Sequence, residues 1–443
     1  MLKRLISNKF NMDRKIRILV ITYLPWREDN NIGNSYSNIF ANTQDKYEFA
    51  HIYIRNGMPQ NTLAKDYYHI SIIKMMKRMF KPNLVVGERM KIEDSSQTEK
   101  PQFSSFFNKF RMLRWPVFFL VEELFGFSNC WKTKEFNQFI DDFNPDIVFG
   151  TLPDCPLISN LMLYVKKRKN IPLITYPWDD YYSLKDTNLS PIFWIRKIMQ
   201  RHYLSKTAKQ SDFLYVISNL MKDEYEKCFH KDCRILFKGY HFNVDQPIEY
   251  RKLSLPIHLV YMGNIGAGRW KTLALLASAI KEINQDGQKF VLDIYTLSPS
   301  DDKMKSALNI EGCSKLNLPV PNDEKKKVMD AADILLHVEP FNKAEYQFYR
   351  ASFSTKLVDY FYSAKCILAI GGMTASTDYL VRNDAAICIT DKSKIKESLM
   401  KIVDKPQLIN EYAKKSWDCG LINHQIDKIQ TRMYNDFKSL LPK

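Results

Sequence analysis

The chain has 443 residues, too many for one ordinary hydrophobic core, so two domains are expected. Its 45% hydrophobic and 26% charged residues are those of a folded globular protein and exclude a disordered chain. The net charge of +16 is uneven: residues 1–114 hold 20 Lys and Arg against 10 Asp and Glu, residues 115–250 are balanced, and residues 251–443 carry a smaller excess.

In chain order, Ile16–Thr22 reads as a buried strand and Ser35–Thr43 as the helix after it. Residues 58–135 form an irregular, basic, aromatic-rich insertion. Strands follow at Asp146–Gly150, Leu173–Tyr176 and Phe213–Ile217, with a helix over Leu157–Lys169. Asn243–Pro256, with two prolines and mixed charge, reads as a linker.

The second half alternates more cleanly. Strands are expected at Ile257–Met262, Phe290–Thr296, Ile334–Val338, Cys366–Ile370 and Ala385–Ile389. Helices are expected at Leu273–Asn284, Asp323–Ala332, Thr355–Ser363, Ser376–Arg382 and Ile395–Val403, with Leu421–Leu441 helical beyond the sheet pattern. Alternation of apolar strands with amphipathic helices means a parallel sheet covered on both faces. The expected fold class is therefore α/β: two Rossmann-like, doubly wound parallel-sheet domains facing each other across a cleft. The expected division is 1–245, 246–420 and a C-terminal helix, 421–443, packing back on the first domain. In open parallel sheets ligands bind beyond the carboxyl ends of the strands, so candidate residues are sought just after strands.

Two segments of the second half suit a phosphate. After Ile257–Met262 comes a loop with Gly263, Asn264, Gly266 and Gly268, followed by Arg269, Lys271 and a helix. Glycines let backbone approach a phosphate, a helix N-terminus adds partial positive charge, and Arg supplies a planar fork for phosphate oxygens. The alternative is a tight turn with a surface Arg. In the second segment Ser354 and Thr355 are of N-cap type, and Lys356 stands in the first helical turn, where a cation is disfavoured unless an anion is also present. Asp359 lies one turn on, where a carboxylate can accept from two ribose hydroxyls; the alternative is an ordinary salt bridge to Lys356.

Both segments resemble the nucleotide-sugar half of retaining glycosyltransferases with the B-type two-Rossmann fold, family 4 in particular. Phe213-Leu-Tyr-Val-Ile-Ser218, Lys238-Gly-Tyr-His-Phe-Asn243, Gly312 to Pro321 with Asp323-Glu324, and Ala331-Ala-Asp-Ile-Leu-Leu-His-Val-Glu-Pro340 are similar to that family's other conserved segments. The resemblance implies an enzyme that moves a sugar from a nucleotide-sugar to an acceptor, with retention and with no cofactor or metal. It implies nucleotide-sugar contacts from Gly33, Pro321 and Glu339, beside Gly263, Asn264, Gly268, Lys271, Ser354, Thr355 and Asp359, and a catalytic role for Arg269 and Lys356. The pattern departs at three places. Ala351 stands where the family's first acidic residue would be, with Glu339 or Glu345 as substitutes. Ala274 stands where a second cation would be, and Trp178 in place of a histidine. A non-catalytic sugar-nucleotide or glycan-binding scaffold of the same fold explains Ala351 equally well.

Asp179 and Asp180 follow the strand ending at Tyr176, and Asp154 follows the strand ending at Gly150. On the acceptor side, Asp179 would position or deprotonate a hydroxyl, with Asp180 and Asp154 as further candidates. The alternative for all three is a capping or turn role.

Within Ile70–Pro82, Lys74, Lys77, Arg78 and Lys81 form a basic helical stripe, and Phe103–Phe127 is dense in Phe, Trp and Leu. Such segments can lie on an anionic membrane or pack against the first domain. The membrane reading fits a polyprenyl-diphosphate-linked acceptor, beside a plain glycan. No run of 18 apolar residues and no signal-peptide pattern is present, so a cytoplasmic protein is expected, peripheral on the inner face of the plasma membrane if the stripe binds lipid. Nucleic acid is not an expected partner, for no reading module accompanies the charge. The eight cysteines lack Cys-x-x-Cys or zinc spacing and read as reduced thiols.

Overall fold

The computed structural model describes residues 14–29, 31–78, 80–90, 123–124, 126–152, 155–186, 188–245, 253–321 and 323–442. The chain divides into two compact units: Met1–Leu236 with Gln430–Lys443, and Phe237–Ile429.

The first unit contains β1 (Ile16–Thr22), α1 (Asn31–Ile39), β2 (Tyr47–Tyr53), β3 (Ala64–Ile70), α2 (Ile72–Arg78) and β4 (Gly87–Met90). It continues with α3 (Lys134–Phe143), β5 (Ile147–Gly150), α4 (Pro156–Lys169), β6 (Leu173–Thr175), α5 (Pro191–Gln210), β7 (Phe213–Val216), α6 (Asn219–Phe229) and β8 (Cys233–Ile235). The sheet runs β4-β3-β2-β1-β5-β6-β7-β8. Its pairs are parallel except β3 with β4.

The start of the expected irregular insertion is thus ordered structure: β3, α2 and β4 extend the sheet edge. Alternation hid β3, because Lys65 and Asp66 are exposed while Tyr67 and Tyr68 are buried. Glu48 and His51 similarly interrupt the apolar run of β2, yet His51 is fully buried and its Nε2 lies 2.8 Å from Thr22 Oγ1. The basic stripe is partly consumed by packing. Lys74 pairs with Glu88 at 3.0 Å, Arg78 donates to the Cys130 carbonyl at 3.0 Å, and Met75 is buried beneath them. Most of Phe103–Phe127 lies outside the described residues. Glu123, buried, accepts from Arg196 and Gln200 of α5.

The second unit contains β9 (Ile257–Met262), α7 (Arg269–Ile283), β10 (Phe290–Tyr295), α8 (Asp302–Leu308), β11 (Ser314–Asn317), α9 (Lys325–Ala331) and β12 (Ile334–Val338). Then come α10 (Lys343–Tyr346), α11 (Lys356–Tyr362), β13 (Cys366–Ile370), α12 (Ala375–Arg382), β14 (Ile387–Ile389), α13 (Ile395–Asp404) and α14 (Gln407–Asn423), and α15 (Ile426–Ser439) begins in this unit and continues into the first. The all-parallel sheet runs β11-β10-β9-β12-β13-β14. β9 and β12 are neighbours although distant in sequence, so strand order reverses between them. That reversal opens a crevice at their carboxyl ends, where α/β sheets bind ligands. Ile257, Leu259, Leu292, Ile294, Ile334, Leu336, Leu368 and Ile370 are almost fully buried and form the core beneath it.

The single helix expected over Leu421–Leu441 is two helices. α14 ends at Asn423 and α15 begins at Ile426, because His424 turns its ring inward, fully buried, between the Lys238 carbonyl (3.1 Å) and the Tyr379 hydroxyl (2.9 Å). From Gln430 onward α15 belongs to the first unit. There Gln430 donates to the Ala41 carbonyl at 2.8 Å, Asp436 accepts from Tyr215 at 2.7 Å, and the Phe437 ring lies 5.8 Å from Tyr47 and 6.0 Å from Phe149. Phe437 is fully buried. Phe437→Ala is expected to destabilise the first unit by about 3–5 kcal/mol, read as a lowered denaturant midpoint with an unchanged slope.

Candidate active site

The site grows out of the end of β9. The apolar strand delivers the chain to Gly263, whose N–H donates to the Tyr295 carbonyl at 3.0 Å. Asn264 organises the loop that follows: its Oδ1 accepts from Gly266 N at 2.6 Å and from Ser298 Oγ at 3.1 Å. Its carbonyl accepts from Tyr261 OH at 2.7 Å. Gly268, at φ +83°, is the N-cap, so the loop opens directly into α7 with Arg269 as first residue.

Arg269 is not a surface residue. Its Nη2 lies 2.8 Å from Glu339 Oε2, its Nε donates to the Val338 carbonyl at 3.2 Å, and its guanidinium sits 4.7 Å from the centre of the Tyr349 ring. Glu339, at the end of β12, is 5% exposed. Its backbone is held by Thr272 Oγ1, which donates to its carbonyl at 2.9 Å, and by its own N–H, which donates to Ile370 O at 2.9 Å.

Lys356, first residue of α11, reaches back to β9, where its Nζ donates to the Met262 carbonyl at 2.9 Å. A Cβ at position 263 would stand 2.2 Å from that Nζ, so Gly263 is the gap through which the ammonium passes. Lys356 and Asp359 do not form the ordinary salt bridge. Asp359 Oδ1 instead accepts from Lys238 Nζ at 2.6 Å and from the Tyr240 hydroxyl.

Burial and charge act together on this cluster. Burial pushes the Lys356 ammonium down to about 8; Arg269 adds to the shift, and Glu339 and Asp359 oppose it. Burial raises the Glu339 carboxyl, and Arg269 opposes that rise. Burial, with Lys356 and Arg269, pushes His337 down to about 3, so its imidazole is neutral at physiological pH. Arg269 is thus paired with Glu339 while Lys356 has no carboxylate in ion-pair contact among the described residues, and the surplus positive charge is what an anionic ligand would meet.

The structure brings together Arg269, Lys356, Gly263 and Glu339, with Asp359 one turn along α11. Gly268 and Lys271 lie beside Glu345, which pairs with Lys271. Ser354 N donates to Ser376 Oγ at 2.9 Å, and Thr355 is the N-cap of α11 without a side-chain bond. Pro321 is exposed, its carbonyl accepting from Glu324 N and Lys325 N at the start of α9.

Four candidates belong to the first unit. Gly33 lies inside α1, and a Cβ there would meet the Arg27 carbonyl oxygen at 2.0 Å, so close backbone packing requires glycine. Asp180, 5% exposed, accepts from Ser183 N at 3.0 Å and Tyr182 N at 3.2 Å, the pattern of a turn-forming carboxylate. Asp179 is half-buried in the bend before it. Asp154 lies outside the described residues.

Sequence reasoning missed His337, Lys238, Tyr240 and Tyr349. Lys238 and Tyr240 stand in a segment noted only for its resemblance, and a lysine 8% exposed beside an acidic partner gives no signal in sequence. Among the described residues no three His, Cys, Asp or Glu side chains gather to hold a metal ion, and no helix is long and apolar enough to cross a membrane.

No family model matches this chain, and no curated protein does. Solved structures are similar. Anabaena HepE in complex with UDP and glucose has a TM-score of 0.57 at 10% identity, over 96% of this chain and 100% of that one. An α,α-trehalose-phosphate synthase (UDP-forming) from Burkholderia vietnamiensis has 0.55 at 9%, over 96% and 100%. WaaG, a glycosyltransferase involved in lipopolysaccharide biosynthesis, has 0.54 at 12%, over 95% and 99%. The chain has the fold of these glycosyltransferases, with two parallel-sheet α/β domains.

If the site binds an anion, Lys356 would make that binding pH-dependent. An anion is attracted to its protonated form, so the Lys356 contribution is complete below about pH 8 and declines as pH rises, by up to about tenfold per pH unit. Titration with pyrophosphate from pH 7 to 9.5 is expected to show wild type binding more tightly than Lys356→Met at the low end. The two should converge toward the high end. A difference constant across the range contradicts the assignment.

Proposed function

We propose that this chain is a metal-independent, retaining glycosyltransferase. It would move a sugar from a nucleotide-sugar to a glycan or polyprenyl-diphosphate-linked acceptor in surface polysaccharide synthesis. The observation that carries the reading is the Arg269–Glu339 ion pair with the Lys356 ammonium held on the Met262 carbonyl, beside a glycine loop and the start of α7.

The central electrostatic demand of sugar transfer is the negative charge that grows on the departing diphosphate. Arg269 offers a planar fork to its oxygens, Lys356 a point charge, and the α7 N-terminus a partial charge, all held in place before the bond breaks. Asp359 takes the ribose, and Glu339 stands in for the acidic residue that Ala351 lacks. As the anomeric C–O bond to phosphate breaks, the acceptor oxygen bonds to the same carbon and its proton passes to the leaving phosphate. Asp179 orients that acceptor hydroxyl. Similar solved structures hold UDP or a UDP-sugar, which favours a uridine nucleotide. The acceptor class suggests the cytoplasmic face of the plasma membrane, with Lys77 and Lys81 left to meet anionic lipid. A second reading, a non-catalytic sugar-nucleotide or glycan-binding scaffold, is favoured by Ala351, which is 1% exposed and brings no carboxylate.

Arg269→Gln is expected to lower transfer or donor hydrolysis by about 10²–10³-fold, the loss typical of one donor to a developing anion. Activity should persist in EDTA. Wild-type turnover by Arg269→Gln, or complete loss in EDTA restored by Mg²⁺, sinks the assignment. No turnover of any nucleotide-sugar that measurably binds would favour the scaffold.

Asp179→Asn should lower turnover while UDP affinity stays at the wild-type value. Equal loss of UDP affinity in Asp179→Asn and Asp359→Ala, measured by calorimetry, contradicts this division of labour.

A further inference from the structure

Asp359 is an acidic side chain with one oxygen crowded and the other open. Oδ1 receives two donors, Lys238 Nζ and the Tyr240 hydroxyl, which together fill the two acceptor positions of that oxygen. Among the described residues no partner lies on Oδ2. The Lys238 side chain is 6% exposed and that of Asp359 28%, so the ammonium is buried while the aspartate side chain is partly open. Burial raises the Tyr240 hydroxyl pKa and Asp359 raises it further, so Tyr240 remains a donor.

The clamp is itself held. Tyr240 N donates to the His424 carbonyl, and Ile426 N to the Tyr240 carbonyl, both at 3.0 Å. Gln425 brackets Phe242, accepting from its N–H at 2.7 Å and donating to its carbonyl at 3.0 Å. The Tyr240 ring stacks on Tyr362 of α11 at 4.4 Å, one helical turn beyond Asp359. The strap 238–242 is thus fastened to the turn between α14 and α15 on one side and to α11 on the other. A salt bridge serving stability alone does not need two donors on one oxygen and a stacked ring to fix their angle.

We infer that Lys238 and Tyr240 are positioning residues: by occupying Oδ1 they aim Oδ2 of Asp359 at the ribose 2′-hydroxyl, making the site selective for ribonucleotides over 2′-deoxyribonucleotides. The inference rests on the nucleotide-sugar reading above. Asp359 lies three residues beyond Lys356, about 4.5 Å along the helix axis.

The experiment is calorimetry of the full chain with UDP, GDP and ADP and their 2′-deoxy counterparts, with pyrophosphate as a control for the intact phosphate site. For the ribonucleotide that binds, wild type is expected to prefer the ribose form by about tenfold or more, the value of a hydrogen bond to a charged group. Lys238→Met and Tyr240→Phe should each reduce that ratio several-fold while pyrophosphate affinity stays within twofold, and Lys238→Arg should restore part of it. A wild-type ratio near one overturns the inference, as does a large ratio that both variants leave unchanged. Pyrophosphate binding lost together with the ratio also overturns it, since the clamp would then only hold the site together. Failure of every nucleotide to bind the wild type is a distinct result, and it removes the nucleotide-sugar reading itself.

Discussion

The second unit is organised around an incomplete neutralisation. Arg269 is paired with the buried Glu339, while the buried Lys356 ammonium rests on the Met262 carbonyl with no carboxylate in ion-pair contact among the described residues. Removing charges from water costs several kcal/mol per ion, and paired burial seldom recovers more than that cost. Such a cluster is therefore weak as a source of stability. Its consequence is electrostatic: His337 is kept neutral and Lys356 is drawn toward the neutral range.

Much of the surrounding structure serves to keep this unfavourable group in place. The β9–β12 neighbour relation sets the Gly263 loop and Glu339 side by side, although 76 residues separate them. Gly263 gives the Lys356 ammonium its passage, and Asn264 with Ser298 holds the loop that opens α7. The neighbouring strap, Lys238 to Phe242, is fixed by the inward turn of His424, whose fully buried ring breaks what would otherwise be a continuous C-terminal helix. The two ends of the second unit are in this way joined beside Asp359.

The first unit follows different physics. Its sheet is lined by stacked and edge-on aromatic rings, with Phe149 meeting Tyr36, Phe40, Tyr215 and Phe437. Polar groups are absorbed into that packing, as with His51 against Thr22 and Asp180 in its turn. A basic composition in the first quarter of the chain is therefore a poor guide to surface chemistry: Lys74, Arg78 and Arg89 have partners within the fold, Arg89 with Asp142 at 2.8 Å.

Legibility in sequence followed the range of the forces involved. Strands buried on both faces, such as Ile16–Thr22, Ile257–Met262, Ile334–Val338 and Cys366–Ile370, were readable to the residue, because a run of apolar side chains has a local cause. β2 and the break at His424 were not, since their polar residues are satisfied by groups far away in the chain, and neither was β3, whose exposed Lys65 and Asp66 break its apolar run. The candidate site divided in the same way. The glycine loop, Arg269 and the misplaced cation Lys356 stood out because each conflicts with, or completes, its own local pattern. That Lys356 would turn to Met262 rather than Asp359, that Glu339 would become the partner of Arg269, and that Lys238 and Tyr240 would take Asp359 were decided only by the tertiary structure. Strand order and the return of the C-terminal helices choose which charges meet, and no spacing along the chain encodes a contact made across 121 residues.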